Sequence, residues 1–188
     1  MKTKIEQFET IDFVKRIKKL LKSKSEVYLV YAALLMRLGI ECRLQEYIFN
    51  HEHIPSKCKK AYRLNELNTT ILRYLHLNDK IAKVTFLVPK SRKRAVLYYT
   101  PVRLNLIKIG QKLGNFLHHP IEDPKQLSIL LHEGIKELEF SIKGALMGPP
   151  LKEGNSVKIL VYPKNKIELQ YVKALMEKGT EGKMNVEY

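Results

Sequence analysis

Hydrophobic positions recur every three or four residues along most of the first 146 residues. Side chains at that spacing share one face of an α-helix, so the pattern predicts a succession of amphipathic helices. The first runs from about Asp12 to Leu21, with Thr10 or Asp12 as its N-cap. Another covers "YRLNELNTTILRYL".

The longest helical pattern covers "SKSEVYLVYAALLMRLGIECRLQEYIF", and Ser25 is placed to cap it. Gly39 either divides this segment into two helices or allows a neighbouring element to approach closely. Large apolar side chains follow the helical period along it, and we expect them to face the core: Val27, Tyr31, Leu34, Leu35 and Leu38.

Two further helices are delimited by proline and glycine. Pro101 suits the first turn of a helix that ends near a pair of histidines. Asp123 followed by Pro124 is a cap and first-position signal, and the helix it opens is expected to end near Gly144.

The stretch "LNDKIAKVTFLVPKSRKRAVLYYTP" is compatible with two structures. Asn78 or Asp79 could cap a helix, whereas the β-branched and aromatic runs on either side of "PKSRKR" could form a hairpin. We favour a helix followed by an exposed basic loop.

The end of the sequence changes character. Two prolines and two glycines in "MGPPLKEGNS" indicate a linker over residues 147–156. After it, "VKILVYP" and "KMNVEY" have the length and composition of strands, with a helical pattern between them. The predicted fold is therefore mainly α, with a helical bundle over residues 1–146 and a small C-terminal α/β appendage over residues 157–188.

The charge balance points to a polyanionic partner. The 188 residues contain 34 Lys and Arg against 19 Asp and Glu, a formal net charge of +15, and from Asp79 to Lys112 nine cations face one acid. Such an excess attracts phosphate backbones, so nucleic acid is the leading partner class. The candidate nucleic-acid-binding residues are Lys90, Arg92, Lys93, Arg94, Arg103 and Lys108.

Other classes of protein are disfavoured. No apolar run approaches 18 residues and the N-terminus is charged, so we expect a cytoplasmic protein without a membrane partner. Two cysteines do not make a disulfide framework. With two histidines they could form a four-ligand zinc site: Cys42, His51, His53 and Cys58. The spacing matches no strong zinc pattern, so we predict no metal and no cofactor.

The run "GQKLGNFLHH" contains the candidate catalytic residues. Lys112, Asn115 and His119 follow i, i+3, i+7 spacing and would share a helical face, with His118 turned away by about 100°. Histidine can take the 2′-hydroxyl proton of RNA while a cation holds the phosphate, and no metal is required. The alternative is structural, because histidines near a helix C-terminus interact favourably with the helix dipole.

The same run resembles a protein family. "KIGQKLGNFLHHP", followed by a short acidic loop and an amphipathic helix, together with the upstream "EVYLVYAALLMRLGIECRLQEYI", resembles HEPN-type helical domains from Ser25 to Gly144. The resemblance implies a helical bundle, a homodimer with facing motifs and, in active members, metal-independent RNA cleavage.

The resemblance matches some positions of the family motif and not others. His119 matches the catalytic histidine, His118 is the alternative register, and Asn115 matches the polar position. The place of the motif arginine falls on Gln111, and the nearest cation is Lys112. Lysine offers phosphate a point charge without the bidentate fork of a guanidinium.

Two functions follow as hypotheses. The first is an HEPN-like protein that binds nucleic acid, RNA being favoured, and that is a metal-independent endoribonuclease if it is catalytic. The alternative is a non-catalytic helical interaction module, such as an accessory subunit or a toxin–antitoxin-like partner, whose charge complements an acidic protein.

Overall fold

The protein is mainly α-helical, as the hydrophobic pattern predicted. A computed structural model describes residues 9–23, 25–48, 54–61, 63–75, 81–87, 94–118, 123–144, 146–147, 151–153, 156–158, 161–162 and 185–187. Within these ranges the helices are α1 (Thr10–Leu20), α2 (Glu26–Ile48), α3 (Ser56–Lys59), α4 (Leu64–Leu75), α5 (Leu104–His118) and α6 (Pro124–Lys143).

Helix α2 is the centre of the bundle. It packs against α1, α4, α5 and α6, and most of the core lines these contacts. Its buried face includes small residues, which let neighbouring helices approach closely: Ala32, Ala33 and Gly39. Larger apolar side chains, such as Met36 and Ile40, fill the space around them. The helix therefore holds α1, α4, α5 and α6 in place relative to one another.

The predicted core face of α2 is wrong. Val27, Tyr31, Leu34 and Leu38 are exposed, and of the five expected residues only Leu35 packs against the core, half-buried. Apolar residues lie all round this helix, so the period of its large side chains did not identify the inner face. Close packing selected the side with alanine and glycine instead.

Gly39 shows how close this packing is. The helix runs through it without a break, and a Cβ added there would lie 3.0 Å from Cβ of Phe13 and 3.3 Å from a methyl carbon of Leu138. Of the two alternatives for Gly39, the close approach of a neighbour is therefore the one observed, and α2 is a single helix.

Capping residues mark where α1 and α6 begin. Helix α6 begins as predicted, because the backbone N–H of Gln126 donates to Oδ1 of Asp123 at 3.0 Å and Pro124 occupies the first turn. It ends at Lys143, with Gly144 in the C-cap position. Helix α1 begins earlier than predicted, because Glu9 rather than Thr10 or Asp12 is its N-cap.

The segment after α4 forms a hairpin, so the helix favoured there is wrong. Strands β1 (Ala82–Leu87) and β2 (Arg94–Tyr99) are antiparallel, with Ala82 opposite Tyr99 and Leu87 opposite Arg94. The β-branched and aromatic residues of both runs favour extended structure. This preference outweighed the capping signal at residues 78–79, which lie outside the described residues.

Short strands follow α6. They are β3 (Leu146–Met147), β4 (Leu151–Glu153), β5 (Ser156–Lys158), β6 (Val161–Tyr162) and β7 (Asn185–Glu187). β3 pairs with β6 and β4 with β5, so strand pairing lies inside the segment predicted as a linker. β7 pairs with β1, and among the described strands this gives a sheet in the order β2-β1-β7.

A buried polar cluster, the Arg43 cluster, joins α2 to α6 and to the junction between β2 and α5. Nη1 of Arg43 lies 2.7 Å from Oε2 of Glu46, and Nη2 donates to the carbonyl oxygen of Ser141. Its guanidinium lies 4.4 Å from the ring centroid of Tyr47, whose hydroxyl donates to the carbonyl oxygen of Thr100. The cluster therefore ties Thr100, which follows β2, to α2 and α6.

Candidate functional site

A groove open to solvent lies between α2, the start of α4 and the last two turns of α5. Its volume is about 550 Å³, and most of the side chains that line it are polar or charged. It is the place where the described residues bring candidate chemistry from three chain segments together.

Helix α5 lines the groove with Gln111, Gly114, Asn115 and His118. These positions follow i, i+3, i+4, i+7 spacing, so they occupy one face of the helix. Lys112 is exposed but lies about 100° round from Gln111, and it does not line the groove. Of the four candidate catalytic residues, the groove therefore brings together Asn115 and His118, while His119 lies outside the described residues.

Helix α2 contributes an arginine that the sequence analysis missed. The guanidinium of Arg37 lies over buried Gly114: a Cβ added to the glycine would collide with Nη1 and lie 3.4 Å from Cζ. Arg37 lines the groove together with Asn115 and His118. A guanidinium and an imidazole therefore line the same groove.

A signal for Arg37 is present in the sequence. It is the one charged residue between Glu26 and Glu41, in the middle of an otherwise uncharged stretch of the longest helix. A lone arginine in such a stretch needs a partner if it is buried, because an unpaired buried charge is strongly unfavourable.

Glu41 is the ion-pair partner of Arg37. Nε of Arg37 lies 3.3 Å from Oε1 of Glu41, and the two side chains are 30% and 17% exposed. Burial raises the pKa of the Glu41 carboxyl, and the effect of Arg37, which lowers it, does not cancel this rise. The pair orients the guanidinium across the groove, but it also places a carboxylate there.

The start of α4 forms the opposite wall. Arg63 pairs with Glu66 at 3.7 Å, and both side chains are largely exposed, so the pair contributes little to stability. The side-chain amide of Gln111 donates to Oδ1 of Asn65. Gln111 therefore joins α4 to α5.

The two predicted nucleic-acid-binding residues whose side chains are described, Arg103 and Lys108, do not line this groove. The Arg103 guanidinium lies 3.6 Å from the ring centroid of Phe140 and 3.7 Å from Oε2 of Glu137, so it faces α6. Lys108 is exposed on α5, about 15 Å along the helix from His118. Arg94 begins β2, and its side chain lies outside the described part, as do three residues of the basic loop: Lys90, Arg92 and Lys93.

The two cysteines of the zinc hypothesis, Cys42 and Cys58, are both partly buried. Among the described residues no group of three or more His, Cys, Asp or Glu side chains is placed to hold a metal ion. His51 and His53 of the zinc set lie outside these residues. Burial, followed by the nearby Glu46 carboxylate, raises the pKa of the Cys42 thiol to about 11, so it is protonated at neutral pH.

No described helix combines the length and the hydrophobicity needed to cross a bilayer. Protein-family models, curated proteins and solved structures were compared with the chain, and none matched it. The chemistry of the groove is therefore the basis for inferring a function, and the resemblance to HEPN domains stays a prediction.

Proposed function

We propose that this protein binds nucleic acid, with RNA favoured, in the groove between α2, α4 and α5. The observation that supports this most is the shared placement of Arg37, Asn115 and His118 in one open groove. A guanidinium binds a phosphate through two parallel hydrogen bonds, and an amide can bond a 2′-hydroxyl or a base edge. The net charge of +15 adds long-range attraction for the polyanion.

The proposal includes metal-independent cleavage as a separate second part. A neutral histidine takes the proton of a 2′-hydroxyl, and the 2′-oxygen attacks phosphorus. The bond from phosphorus to the 5′-oxygen then breaks, and water protonates the leaving oxygen. Groove geometry favours His118 as the proton acceptor and the family resemblance favours His119, so both histidines belong in the test.

Binding is tested with a labelled single-stranded RNA and increasing salt. Arg37→Ala should weaken binding at least tenfold, because a hydrogen bond to a charged group contributes about 1.5–3 kcal/mol. Arg73→Ala removes the same charge from an exposed position at the far end of α4 and should change the affinity much less. Equal effects of the two substitutions, or an affinity that is independent of salt, would contradict phosphate binding in the groove.

Cleavage is measured on the same RNA in excess chelator, with a DNA of matching sequence as the control for the 2′-hydroxyl. Wild-type protein should cut the RNA and leave the DNA intact. Either His118→Ala or His119→Ala should abolish cutting while RNA binding persists. Wild-type protein that binds RNA without cutting it would remove the catalytic part and leave the binding part standing.

The non-catalytic interaction module is the second candidate, and one observation favours it. The described lining of the groove carries two carboxylates, Glu41 and Glu66, beside its two guanidinium groups, which reduces its attraction for phosphate. Co-purification of an acidic polypeptide without nucleic acid would support this candidate, provided that Arg37→Ala releases the polypeptide.

A further inference from the structure

A pair of side-chain amides lies where α4 and α5 meet in the groove. Nε2 of Gln111 donates to Oδ1 of Asn65, and both side chains line the groove and are exposed to solvent. An amide has two N–H donors and an acceptor oxygen, so one hydrogen bond leaves most of its capacity unused. The described residues make no other hydrogen bond to the Gln111 side chain. The pair can therefore bind a ligand.

The hydrogen bond to Asn65 fixes which way the Gln111 amide faces. A free amide that rotates by half a turn exchanges its oxygen and its nitrogen, so it presents donor and acceptor in either order. In Gln111 the nitrogen is held on the Asn65 side, and Oε1 and the second hydrogen of Nε2 are left for a ligand. The side chain therefore presents one acceptor beside one donor, in a fixed order.

This pattern matches the N7 edge of adenine. Adenine carries the N6 amino group as a donor next to N7 as an acceptor, and the amide of an Asn or Gln side chain pairs with both at once. The same edge of guanine carries two acceptors, O6 and N7, so Oε1 of Gln111 would face an oxygen without a hydrogen. Cytosine and uracil have no N7. On this edge, adenine is the base that satisfies the amide.

The position of Arg37 selects the N7 edge over the Watson–Crick edge. The Arg37 guanidinium lies over Gly114, and Gln111 and Gly114 are neighbours on the surface of α5, about 5–6 Å apart. In a nucleotide of the common anti conformation, the N7 edge of a purine faces its own 5′-phosphate, whereas the Watson–Crick edge points away from the backbone. A phosphate bound to Arg37 therefore brings the N7 edge towards Gln111.

We propose that the groove is specific for adenine, which Gln111 recognises through N6 and N7 while Asn65 holds the Gln111 amide in position. RNA as the source of the adenine rests on the proposed function, and a free adenine nucleotide offers the same chemistry. The groove volume of about 550 Å³ is usual for a small-ligand site, so one base of a strand is read. Asn65 is a positioning residue, because it acts on the base through Gln111.

Recognition is tested with four pentameric RNAs that differ only in the central base, which is flanked by uridines. Wild-type protein should bind the adenine pentamer roughly tenfold more tightly than the other three, because a bidentate base contact discriminates by about that factor or more. 7-Deazaadenine at the same position, in which a C–H group replaces N7, should lose this advantage. Equal affinity for all four pentamers, or full affinity for the 7-deaza pentamer, would overturn the proposal.

Substitution of Gln111 tests the protein side of the contact. Gln111→Leu should reduce the affinity for the adenine pentamer to that for the uridine pentamer and leave the latter unchanged, because the phosphate contact at Arg37 remains. Gln126→Leu is the matched control, since Gln126 is exposed on α6 and does not line the groove. Thermal melting establishes that each variant is folded. A folded Gln111→Leu protein that still prefers adenine would overturn the proposal.

Two substitutions of Asn65 test its positioning role. Asn65→Ala should lower the preference for adenine over uracil several-fold, because the Gln111 amide can then rotate. Asn65→Asp keeps an oxygen to which Gln111 can donate. Its added charge should weaken all four pentamers alike, so the preference should persist. A preference that is the same in Asn65→Ala as in wild type would remove Asn65 from the proposal.

Titration calorimetry with AMP and UMP separates this proposal from the proposed function. RNA binding that Arg37→Ala weakens, without preference among the pentamers, would remove adenine specificity and leave the proposed function standing. Binding of AMP but not UMP, lost in Gln111→Leu, by a protein that binds no pentamer would keep adenine recognition and remove RNA as its source. A protein that binds neither the pentamers nor AMP would overturn both.

Discussion

Arg37 and Arg43 lie less than two turns apart on α2, yet their surroundings differ in almost every respect. The Arg43 side chain is 2% exposed, and a carboxylate, a backbone carbonyl and an aromatic ring surround it. Arg37 is 30% exposed and lines an open groove beside an amide and an imidazole. The same residue type therefore stabilises the fold at one position and is available to a ligand at the other.

Burial and the available partners determine which of these two roles an arginine has. A buried guanidinium has to be satisfied by its own protein, because desolvation of an unpaired charge is strongly unfavourable. A partly exposed guanidinium retains water, which an incoming phosphate can replace. Substitutions at the two arginines should accordingly affect different measurements.

The largest expected effect is on stability, at Arg43. Arg43→Met leaves the Glu46 carboxylate without its cation and removes one of the donors to the Ser141 carbonyl, and should lower the free energy of unfolding by about 3–5 kcal/mol. Arg37→Met should change it by less than about 1 kcal/mol, because its ion pair is more exposed. Urea denaturation of both variants measures the contrast, and losses of similar size would refute it.

A smaller effect separates binding from stability at Gly114. Gly114→Ala puts a methyl group where Nη1 of Arg37 lies, so the flexible guanidinium has to move while the backbone does not. RNA affinity should fall several-fold, whereas the free energy of unfolding should stay equal or rise, since alanine favours helix over glycine by up to about 1 kcal/mol.

Gly39→Ala is the control for this substitution. The added methyl group would meet Cβ of Phe13, which is attached directly to the backbone of α1 and cannot move alone. Stability should therefore fall while RNA affinity per folded molecule stays unchanged. A loss of affinity at Gly39 as large as that at Gly114 would mean that packing, and not the position of Arg37, controls binding.

The smallest expected effect is the pH dependence at Glu41. Because burial raises the pKa of Glu41 in the folded protein, the folded state binds a proton more tightly than the unfolded state. Its contribution to stability is therefore greatest below the unfolded pKa and is lost as pH rises through the folded pKa. Glu41→Gln should be more stable than wild type at neutral pH, with the difference vanishing below about pH 4. Thermal melting across this range measures it, and a difference that grows in acid would contradict the assignment.

The features predicted best from the sequence are those that residues close together in the chain determine. The limits of α6 follow from Asp123, Pro124 and Gly144, which act within one helical turn. The inner face of α2 depends on which neighbours can approach Ala32, Ala33 and Gly39, a property of tertiary packing that periodicity does not contain. The hairpin was misjudged because two local preferences competed, and pairing between the strands decided the outcome.

The groove was predictable only in part, for the same reason. Asn115 and His118 were both among the candidates on α5, but the predicted face grouped Asn115 with Lys112 and His119 and turned His118 away from it. Arg37 and Arg63 reach the groove from segments roughly 50 to 80 residues away in the sequence, and spacing along one helix does not reveal such neighbours.

The pairing of β7 with β1 has a consequence for the order of folding. Thr85 lies opposite Asn185, so about 100 intervening positions have to be arranged before this ladder closes. Contacts between elements near each other in the chain, such as α1 with α2 and β1 with β2, carry a smaller entropic penalty and should form sooner. During synthesis, the edge of β1 that receives β7 therefore stays unprotected until the ribosome has delivered residues 185–187.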